Sequence, residues 1–460
     1  MNVERIRSRF PALDRGPERL AYLDSACLSL VPREVLDAME AYYRDFPGCA
    51  GRSLHRFSEE VERRFEAARG GFARFLGRSD PSGVVFLRNA TEAINLVGQG
   101  LSWNAGDRVL LSDREHNSNL IVWQRLAAER GVRLEVLPLP DGGGIDADDL
   151  DRRLSEGVRL VSLFHTSNLD GSSLPVREIT ERAHDRGALV MFDGCQAAPH
   201  EKVELDRWGV DFYALSAHKM LGPTGTGVLA AAPGPIALLR PLVLGGETVA
   251  WSTTETHALR PPPHRFEAGL QNYAGVLGAH AGLRYLERVG LESVRDQQYA
   301  VNARVSQAFT DEPRVHLLGP ADPHDRPSIF AFTVDGVDPN DVAVFLDEGH
   351  DVMVRSGMHC VHSYYTARDL PGNVRASFYL YNDRSDADRL IAGLRELLEK
   401  VPGPSSTGSS TGTSGATAAS PPRAVRARPR ASGSKGAAAR SAPPRRRAGR
   451  GRGASARGSG

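Results

Sequence analysis

Short apolar runs alternate with amphipathic helical stretches through the middle of the chain, and this alternation constrains the fold more than any other feature. The runs have the length of buried strands, and the stretches between them carry apolar residues at helical spacing. Strands and helices that alternate in this way predict an α/β fold, a mostly parallel sheet with helices on both faces. The predicted strands are 84–87, 109–111, 134–137, 160–164, 189–192 and 211–215, and the predicted helices between them include 91–101, 119–129 and 176–186.

Polar residues follow several of these strands at their carboxyl ends, where ligands bind in folds of this class. The last predicted strand runs into Ser216-Ala217-His218-Lys219, which is followed by the glycine-rich segment 222–227. A hydroxyl, an imidazole and an amine at one strand end can hold a phosphate and an aldehyde together. Pyridoxal 5′-phosphate requires both, because it forms a Schiff base with a lysine and its phosphate needs donors. The alternative for Lys219 alone is an ordinary surface lysine.

The ends of two earlier strands strengthen this interpretation. Asp193 and Gln196 follow one strand, and Asn168 follows another. A carboxylate beside the pyridine nitrogen keeps that nitrogen protonated, so that the ring can accept electrons. Gln196 and Asn168 can hydrogen-bond the ring hydroxyl. An Asp after a strand is usually a helix cap, but the ordered series of these groups indicates a cofactor site.

Two other segments supply groups of the same kind. Asn89-Ala90-Thr91 opens a predicted helix, and the N-terminal amides of a helix suit a phosphate. The alternative for Thr91, simple helix capping, is compatible with phosphate binding. His116 follows the strand 109–111 and can stack on the cofactor ring, and its alternative is a histidine at a helix start with no ligand.

Composition excludes several other classes of protein. The cysteines, Cys27, Cys49, Cys195 and Cys360, show neither the paired spacing of a zinc site nor the density of a disulfide framework. The adjacent His and Cys residues at 359–362 have no second group of ligands, so we predict no metal. The chain shows no apolar signal region and no apolar run of membrane-spanning length. We expect a soluble protein of the reducing cytoplasm.

Residues 402–460 differ from the rest of the chain in composition. They carry eleven Arg, one Lys and no acidic residue, which leaves 45 basic against 56 acidic residues, a net charge of −11, in the remainder. With few large apolar side chains the segment cannot bury a core, so we predict a disordered basic tail. Its arginines can contact nucleic acid or another polyanion weakly and in a salt-dependent manner. The alternatives are a solvated extension without a partner and a tail that folds back on the acidic body.

These motifs resemble the class V aminotransferase family of fold-type I pyridoxal-phosphate enzymes. Within that family the chain is most similar to the group II cysteine desulfurases and selenocysteine lyases. The resemblance spans about residues 20–400. The segments that carry it are 22–26, 88–96, 115–119, 193–196, 216–219 and 265–269.

The resemblance implies a role for each of the polar residues. Lys219 would form the Schiff base, Asp193 would pair with the pyridine nitrogen, and His116 would stack on the ring. The phosphate would be held by Ala90, Thr91, Ser216 and His218, the ring hydroxyl by Asn168 and Gln196, and the substrate by Arg375, His55 and Asn168. The resemblance also implies a homodimer with active sites at the subunit interface, where a loop similar to that of His55 lies at the rim.

Applied to this chain, the family architecture predicts four parts. Residues 1–30 would form an N-terminal segment of the small domain, 31–288 the large cofactor-binding domain, and 289–401 the small domain. The tail at 402–460 is outside the family pattern. A strand-like run at 328–334 between helical stretches supports an α+β architecture for the small domain.

The segment 354–360, Val-Arg-Ser-Gly-Met-His-Cys, distinguishes a desulfurase from other members of the family. In desulfurases a similar segment delivers the cysteine that attacks the substrate's sulfur, so Cys360 is the predicted nucleophile. A thiolate is required, and His359 or a nearby cation would help to generate it. Arg375 matches the arginine that clamps the substrate carboxylate through its planar fork. The alternatives are a buried apolar role for Cys360 and a surface ion pair for Arg375.

We therefore expect a cysteine desulfurase that uses pyridoxal 5′-phosphate, converts L-cysteine to L-alanine and takes the sulfur onto Cys360 as a persulfide, for release to an acceptor protein or a reductant. L-Selenocysteine and cysteine conjugates are further candidate substrates. One alternative is a C–S lyase, aminotransferase or epimerase of the same family, which needs no such thiol. Another is a binding or scaffold protein that uses the basic tail. Leu270 departs from the family, because many relatives carry a threonine there that reaches the partner subunit's cofactor phosphate.

Overall fold

The computed structural model describes residues 1–14 and 19–401 of the 460-residue chain. The predicted basic tail at 402–460 lies outside the described residues. Within the described part of the chain, no helix is long and apolar enough to cross a membrane.

The described residues form fifteen strands and fourteen α-helices. The strands are β1 Ala21–Tyr22, β2 Val84–Leu87, β3 Arg108–Ser112, β4 Arg133–Leu137, β5 Val158–Phe164, β6 Leu189–Asp193, β7 Phe212–Ser216, β8 Gly227–Ala231, β9 Val249–Ser252, β10 His257–Leu259, β11 Val315–Leu318, β12 Ile329–Val334, β13 Val352–Met353, β14 Arg355–Gly357 and β15 Asn373–Ser377. The helices are α1 Val3–Arg7, α2 Arg33–Asp45, α3 Arg56–Phe75, α4 Ala90–Gly100, α5 Ile121–Arg130, α6 Ala147–Leu154, α7 Val176–His184, α8 Leu205–Trp208, α9 Pro233–Ala237, α10 Tyr273–Val289, α11 Leu291–Phe309, α12 Pro339–His350, α13 His362–Ala367 and α14 Arg384–Lys400.

The central sheet has seven strands in the order β2-β8-β7-β6-β5-β3-β4. The five strands from β7 to β4 pair in parallel, whereas β8 pairs antiparallel to both β7 and β2. The predicted strands of the central region are present, and their bounds differ from the prediction by at most two residues. The predicted α/β fold with a mostly parallel sheet is confirmed.

Both faces of the inner part of the central sheet are covered, which explains why its strands are largely apolar. In β6, Val190 and Phe192 face a core that contains Phe72 of α3, while Met191 faces a second core that contains Trp123 of α5. Successive residues of a strand point to opposite faces, so a sheet buried on both sides needs apolar residues at every position. Most of the polar side chains that contribute to the site therefore follow the ends of these strands.

The carboxyl ends of three neighbouring strands meet at one edge of this sheet. Phe164 at the end of β5 is in register with Asp193 at the end of β6, and Asp193 is in register with Ala214 of β7. The loops that leave these strands therefore start side by side. This edge brings together the polar segments that are separated in the sequence.

A four-stranded antiparallel sheet, β11-β12-β15-β14, forms in the C-terminal part of the chain. In it Arg355 of β14 lies directly opposite Arg375 of β15. The short strand β1 pairs in parallel with β13, so that the residues just after it lie next to this sheet. Helix α14 begins with a capping box formed by Asp383 and Asp386, which satisfies the exposed amides at its start.

Candidate active site

Lys219 follows β7 in a short 3-10 turn, Ala217–Lys219. The glycine-rich segment folds back onto this turn, and a Cβ at Gly222 would lie 2.8 Å from the Cβ of Ala217. A side chain at position 222 would therefore displace the turn that carries the lysine. Burial and the neighbouring Lys219 cation lower the pKa of His218 to about 4, so this imidazole is neutral at pH 7.

Asp193 ends β6 at the strand edge next to Lys219. Its Oδ1 accepts a hydrogen bond from the backbone N of Cys195 at 3.0 Å, which fixes one oxygen of a buried carboxylate. The ring of Tyr213 fills the space beside Gly194, where a Cβ would lie 2.0 Å from a ring carbon. The chain can turn away from β6 at this point only because residue 194 is glycine.

His116 faces the same space as Lys219 and Asp193. Burial and the Lys219 cation lower the pKa of His116 to about 4, against the opposing effect of the Asp193 carboxylate. Its Nδ1 accepts a hydrogen bond from Ser118 N at 3.0 Å, which leaves the ring proton on Nε2. The imidazole is therefore neutral at pH 7 and can stack on an electron-poor ring.

A buried carboxylate that our sequence analysis did not single out anchors the loop before His116. The oxygens of Glu115 accept hydrogen bonds from Ser112 Oγ at 2.6 Å, Asn119 Nδ2 at 2.8 Å and Phe164 N at 3.3 Å. Burial nevertheless raises the pKa of Glu115 to about 7. Two of these partners are local in the sequence, whereas Phe164 lies 49 residues away at the end of β5.

Three of the four residues predicted to hold a phosphate, Ala90, Thr91 and Ser216, lie at the start of α4. The backbone N of Ala90 donates to Ser216 Oγ at 2.9 Å, and Thr91 Oγ1 lies 2.7 Å from Ser118 Oγ. The helix has eleven residues. Its N-terminal amides and these hydroxyls form a set of donors that suits an anion.

Gln196 and Asn168 already use their amide N–H groups within the protein. Gln196 Nε2 donates to Ala26 O at 2.7 Å, and Asn168 Nδ2 donates to His359 O at 2.8 Å. Their amide oxygens are acceptors, so a contact with the ring hydroxyl remains a prediction. The backbone O of Asn168 also accepts a hydrogen bond from Arg375 Nη1 at 2.6 Å. Asn168 thus links Arg375 to the residue before Cys360.

Cys360 lies in a tight turn with left-handed backbone. The φ angles are 48° at His359 and 62° at Cys360, values that non-glycine residues seldom adopt and that cost about 1–3 kcal/mol each. The Cys360 carbonyl accepts a hydrogen bond from Asn117 N at 2.7 Å. The Cys360 Sγ lies 3.6 Å from Nη2 of Arg355. The turn therefore presents the partly exposed thiol to a guanidinium.

His359 does not supply the charge that would generate a thiolate at Cys360. Its Nε2 lies 2.5 Å from Asn373 Oδ1, and burial together with the Arg375 cation lowers the pKa of His359 to about 3. The imidazole is neutral at pH 7, so it supplies no positive charge to a thiolate. The nearby cation that we left unnamed is Arg355, and a guanidinium beside a sulfur stabilises the thiolate.

Arg375 is only 1% exposed, which excludes the surface ion pair that we considered as an alternative. Its Nη2 lies 3.4 Å from Asp24 Oδ1, and its Nε has no hydrogen-bond partner among the described residues. Burial lowers the pKa of Arg375, and Asp24 opposes that effect. A buried guanidinium with an unpartnered N–H is typical of a site that receives an anionic ligand. Asp24 had no predicted role.

Two other residues considered in the sequence are exposed. His55 is exposed, and among the described residues its Nδ1 accepts a hydrogen bond from Ser58 N at 3.3 Å. Leu270 is 57% exposed. It follows Glu267, which forms a buried ion pair with Arg69 at 2.7 Å.

The cluster offers the groups that pyridoxal 5′-phosphate needs. Lys219 provides an amine, Asp193 a carboxylate and His116 a neutral imidazole, and the start of α4 provides donors for a phosphate. The described residues contain no group of three or more His, Cys, Asp or Glu that could hold a metal ion. The donor set fits this cofactor in its chemistry.

Comparisons with known proteins identify the relatives of this chain. The model of the Aminotransferase class-V family matches residues 21–390. A probable cysteine desulfurase of Halobacterium salinarum is 36% identical over 402 residues, which cover 86% of this chain and 96% of that protein. A probable cysteine desulfurase 2 of Mycobacterium leprae is 37% identical over 410 residues, which cover 87% of this chain and 97% of that protein.

A solved structure has a closely similar fold. The apo structure of cysteine desulfurase from Thermococcus onnurineus superposes with a TM-score of 0.83 at 34% identity, covering 86% of this chain and 98% of that chain. The fold is that of the fold-type I enzymes. A family match over this length and relatives above 30% identity over most of both sequences identify the family: the chain belongs to the class V aminotransferases.

Proposed function

We propose that the protein is a cysteine desulfurase that uses pyridoxal 5′-phosphate, converts L-cysteine to L-alanine and takes the sulfur onto Cys360 as a persulfide. The observation that carries the proposal is the 3.6 Å contact between Cys360 Sγ and Arg355 Nη2, across the strand pair from Arg375. A carboxylate clamp and a thiol held beside a cation are the two groups that sulfur abstraction from an amino acid requires.

The cofactor would be held by the cluster at the strand ends. Lys219 would bind it covalently through its amine, Asp193 would pair with the pyridine nitrogen, and the neutral ring of His116 would cover one face. Ala90 and Thr91 would bind its phosphate at the start of α4, together with Ser216 and His218. When bound, the cofactor withdraws electrons from the α-carbon of the substrate.

The remaining chemistry rests on side chains of this chain. Arg375 would bind the substrate carboxylate with its unpartnered Nε and a neighbouring N–H, which orients the α-carbon toward Lys219. The Lys219 amine is the group suited to remove and return the proton at that carbon. The Cys360 thiolate, stabilised by Arg355, would attack the substrate sulfur. Asn168 would couple the two ends of the site, because it bonds both Arg375 and the carbonyl of His359.

A homodimer is part of the same proposal. Several large apolar side chains are exposed in the segment between β8 and α10, as expected of a surface that a second copy covers. They are Leu238, Leu242, Val243, Leu244, Trp251 and Leu270. In such a dimer Leu270 would make an apolar contact where many relatives place a hydroxyl, and His55 would approach the partner's substrate site.

Further parts of the proposal concern where and with whom the enzyme acts. The predicted location is the cytoplasm, and the predicted recipient of sulfur is an acceptor protein or a reductant. L-Selenocysteine and cysteine conjugates are further candidate substrates.

The proposed division of the chain is into a large domain at 31–288 and a small domain at 289–401, which also includes residues 1–30. For the basic residues at 402–460 we propose weak polyanion binding beside catalysis.

The experiment that tests this function is product analysis with L-cysteine and an excess of thiol reductant. The proposal predicts equal amounts of alanine and sulfide. Pyruvate and ammonia in place of alanine would indicate a C–S lyase and contradict it. No turnover of L-cysteine by the cofactor-loaded protein would also contradict it.

A further inference from the structure

The turn that carries Cys360 is held in place by residues from two distant loops. Its backbone is left-handed at His359 and Cys360, and non-glycine residues keep that conformation only where the surrounding structure fixes it. Asn168 Nδ2 donates to the carbonyl of His359 at 2.8 Å, and Asn117 N donates to the carbonyl of Cys360 at 2.7 Å. Each left-handed residue is therefore anchored to a loop that follows a strand of the central sheet.

Asn117 also holds the chain just after this turn. Its Nδ2 lies 2.8 Å from Nδ1 of His362, the first residue of α13. An amide nitrogen can only donate, so the ring Nδ1 accepts and the imidazole carries its proton on Nε2. Asn117 thus makes two hydrogen bonds to the segment of the proposed nucleophile, one at Cys360 itself and one at the start of the next helix.

Helix α13 contacts the same loop at two further points. Arg368, which follows the last residue of the helix, places its Nη2 2.8 Å from Oδ2 of Asp113. The guanidinium carbons of Arg368 and Arg114 lie 3.9 and 5.4 Å from the ring centroid of the buried Tyr364, within the range of a cation–π contact. The loop 113–118 is therefore the support on which the segment after Cys360 is packed.

The loop 113–118 also carries His116, which in the proposed function covers the cofactor ring. Asn117 is the next residue, so the position of the Cys360 turn relative to that ring is set through one short loop. Arg355 approaches the same thiol from β14, the strand before the turn. Placement matters for such a thiol, because a shift of about 1 Å in a reacting group can slow a reaction about a hundredfold.

We propose that Asn117 is a positioning residue for sulfur transfer, which holds the Cys360 turn through its backbone N–H and through the hydrogen bond of its side chain to His362. This inference rests on the proposed function, because that reaction makes Cys360 the acceptor of sulfur. The two bonds of Asn117 go to the carbonyl of Cys360 and to the ring of His362, so Asn117 acts on the thiol through the turn.

The test uses the full-length, cofactor-loaded protein, reduced, then freed of reductant without air, and mixed in excess with L-cysteine. Two rates are measured after rapid mixing. The first is the change in cofactor absorbance, which reports the arrival of the substrate at the cofactor. The second is the gain of one sulfur atom by the peptide of Cys360, followed by acid quenching and mass spectrometry. A residue that positions the turn should affect the second rate alone, whereas a general structural defect would affect both.

For Asn117→Ala and His362→Phe we expect an unchanged rate of the absorbance change. The rate of sulfur gain should fall about threefold in each, since one exposed hydrogen bond between neutral groups is lost. His362→Asn should match the parent, because the Oδ1 of an asparagine can accept at the δ position of the lost ring. The double variant Asn117→Ala/His362→Phe should be no slower than either single variant, because all three lack the same bond.

His316→Phe is the matched control, because it replaces an exposed imidazole of β11 that is bonded to Asp335, and both of its rates should equal those of the parent. An Asn117→Ala protein with the parent's rate of sulfur gain would overturn the inference and leave the proposed function intact. Equal slowing of both rates in Asn117→Ala, or a His362→Asn protein as slow as His362→Phe, would overturn it as well. A loss of about ninefold in the double variant would do the same, since it indicates two independent effects. A parent whose Cys360 gains no sulfur would overturn the proposed function and this inference with it.

Discussion

The guanidinium of Arg355 lies 3.6 Å from the Sγ of Cys360, whereas the imidazole of the adjacent His359 is turned toward Asn373. The residue adjacent to Cys360 in the sequence, His359, is therefore not the residue that brings a positive charge to its thiol. The cation comes from β14, five residues earlier, and its position depends on the pairing of β14 with β15. The cation beside the proposed nucleophile is therefore placed by the sheet rather than by the His-Cys dipeptide.

Replacement of Arg355 should slow the chemistry of the Cys360 thiol. For Arg355→Gln we expect alkylation of Cys360 by iodoacetamide at pH 7 to slow about tenfold, since a charge-assisted contact of about 1.4 kcal/mol is lost. Arg355→Lys keeps the charge, so its rate of alkylation should lie between the rates of the parent and of Arg355→Gln. The rate is followed by mass spectrometry of the peptide of Cys360, so that alkylation at the other cysteines is not counted. An unchanged rate in Arg355→Gln would show that the guanidinium does not stabilise the thiolate.

Arg375→Lys should lower the catalytic efficiency with L-cysteine without changing the reactivity of Cys360. A lysine keeps the charge but loses the planar fork, so we expect kcat/KM for L-cysteine to fall about a hundredfold, equivalent to about 2.7 kcal/mol. Steady-state alanine formation measures this. The matched control is Arg125→Lys, which alters an exposed ion pair with Glu129 on α5 and should leave kcat/KM unchanged. Equal kinetics for the two variants would argue against Arg375 as the carboxylate clamp.

The buried pair of Arg69 and Glu267 should be a main contributor to stability. Two hydrogen bonds of 2.7 and 3.0 Å join them, and both side chains are almost fully buried. Arg69→Met leaves an unpaired buried carboxylate, so we expect the free energy of unfolding in urea to fall by about 3–5 kcal/mol.

The control for this prediction lies on the same helix, α3. Arg63 forms an exposed pair with Glu60 at i,i+3, and Arg63→Met should change the free energy of unfolding by less than about 1 kcal/mol. If Arg69→Met lowered the free energy of unfolding as little as Arg63→Met does, the buried pair would not be a main contributor to stability.

His200 should contribute to the loss of stability in acid. Burial, assisted by the Lys219 cation, lowers the pKa of His200 to about 3, and its Nδ1 lies 2.8 Å from Gln298 Nε2. The lowered pKa gives stability that is fully present above the unfolded pKa of about 6.5 and is lost as pH falls toward 3. Between pH 6.5 and 5 this loss is about 2 kcal/mol.

The measurement is urea unfolding at pH 7.5 and pH 5. His200→Gln keeps a group that can accept from Gln298 but cannot titrate, so its loss between the two pH values should be smaller than that of the parent by about 2 kcal/mol. His257→Gln, which removes an exposed imidazole, should lose as much as the parent. An equal loss in all three proteins would refute the assignment to His200.

Much of the central sheet and of the cluster at its strand ends could be predicted from the sequence, for a physical reason. Parallel strands buried on both faces are largely apolar, so that the polar residues that follow them, Asp193, Asn168 and Lys219 among them, stood out. Because the carboxyl ends of such strands meet at one edge, their proximity followed from the fold class alone.

The contacts that the sequence could not predict depend on pairs far apart in the chain. Gln196 donates a hydrogen bond to the carbonyl of Ala26, 170 residues earlier in the chain. Asp24 contacts Arg375, which is 351 residues away. The role of Arg355 required the register of β14 and β15 and the left-handed backbone at Cys360. None of these contacts produces a periodic pattern or a fixed local spacing that could be recognised in the sequence.

The central claim is that Cys360 accepts the sulfur of L-cysteine, and its most direct test is alanine formation by the parent and by Cys360→Ala, both loaded with cofactor to the same absorbance and assayed with a thiol reductant. We predict that Cys360→Ala retains the cofactor spectrum and the spectral change on adding L-cysteine, but loses nearly all formation of alanine. Turnover of L-cysteine that is indifferent to Cys360 would contradict the account and point to direct elimination at the cofactor.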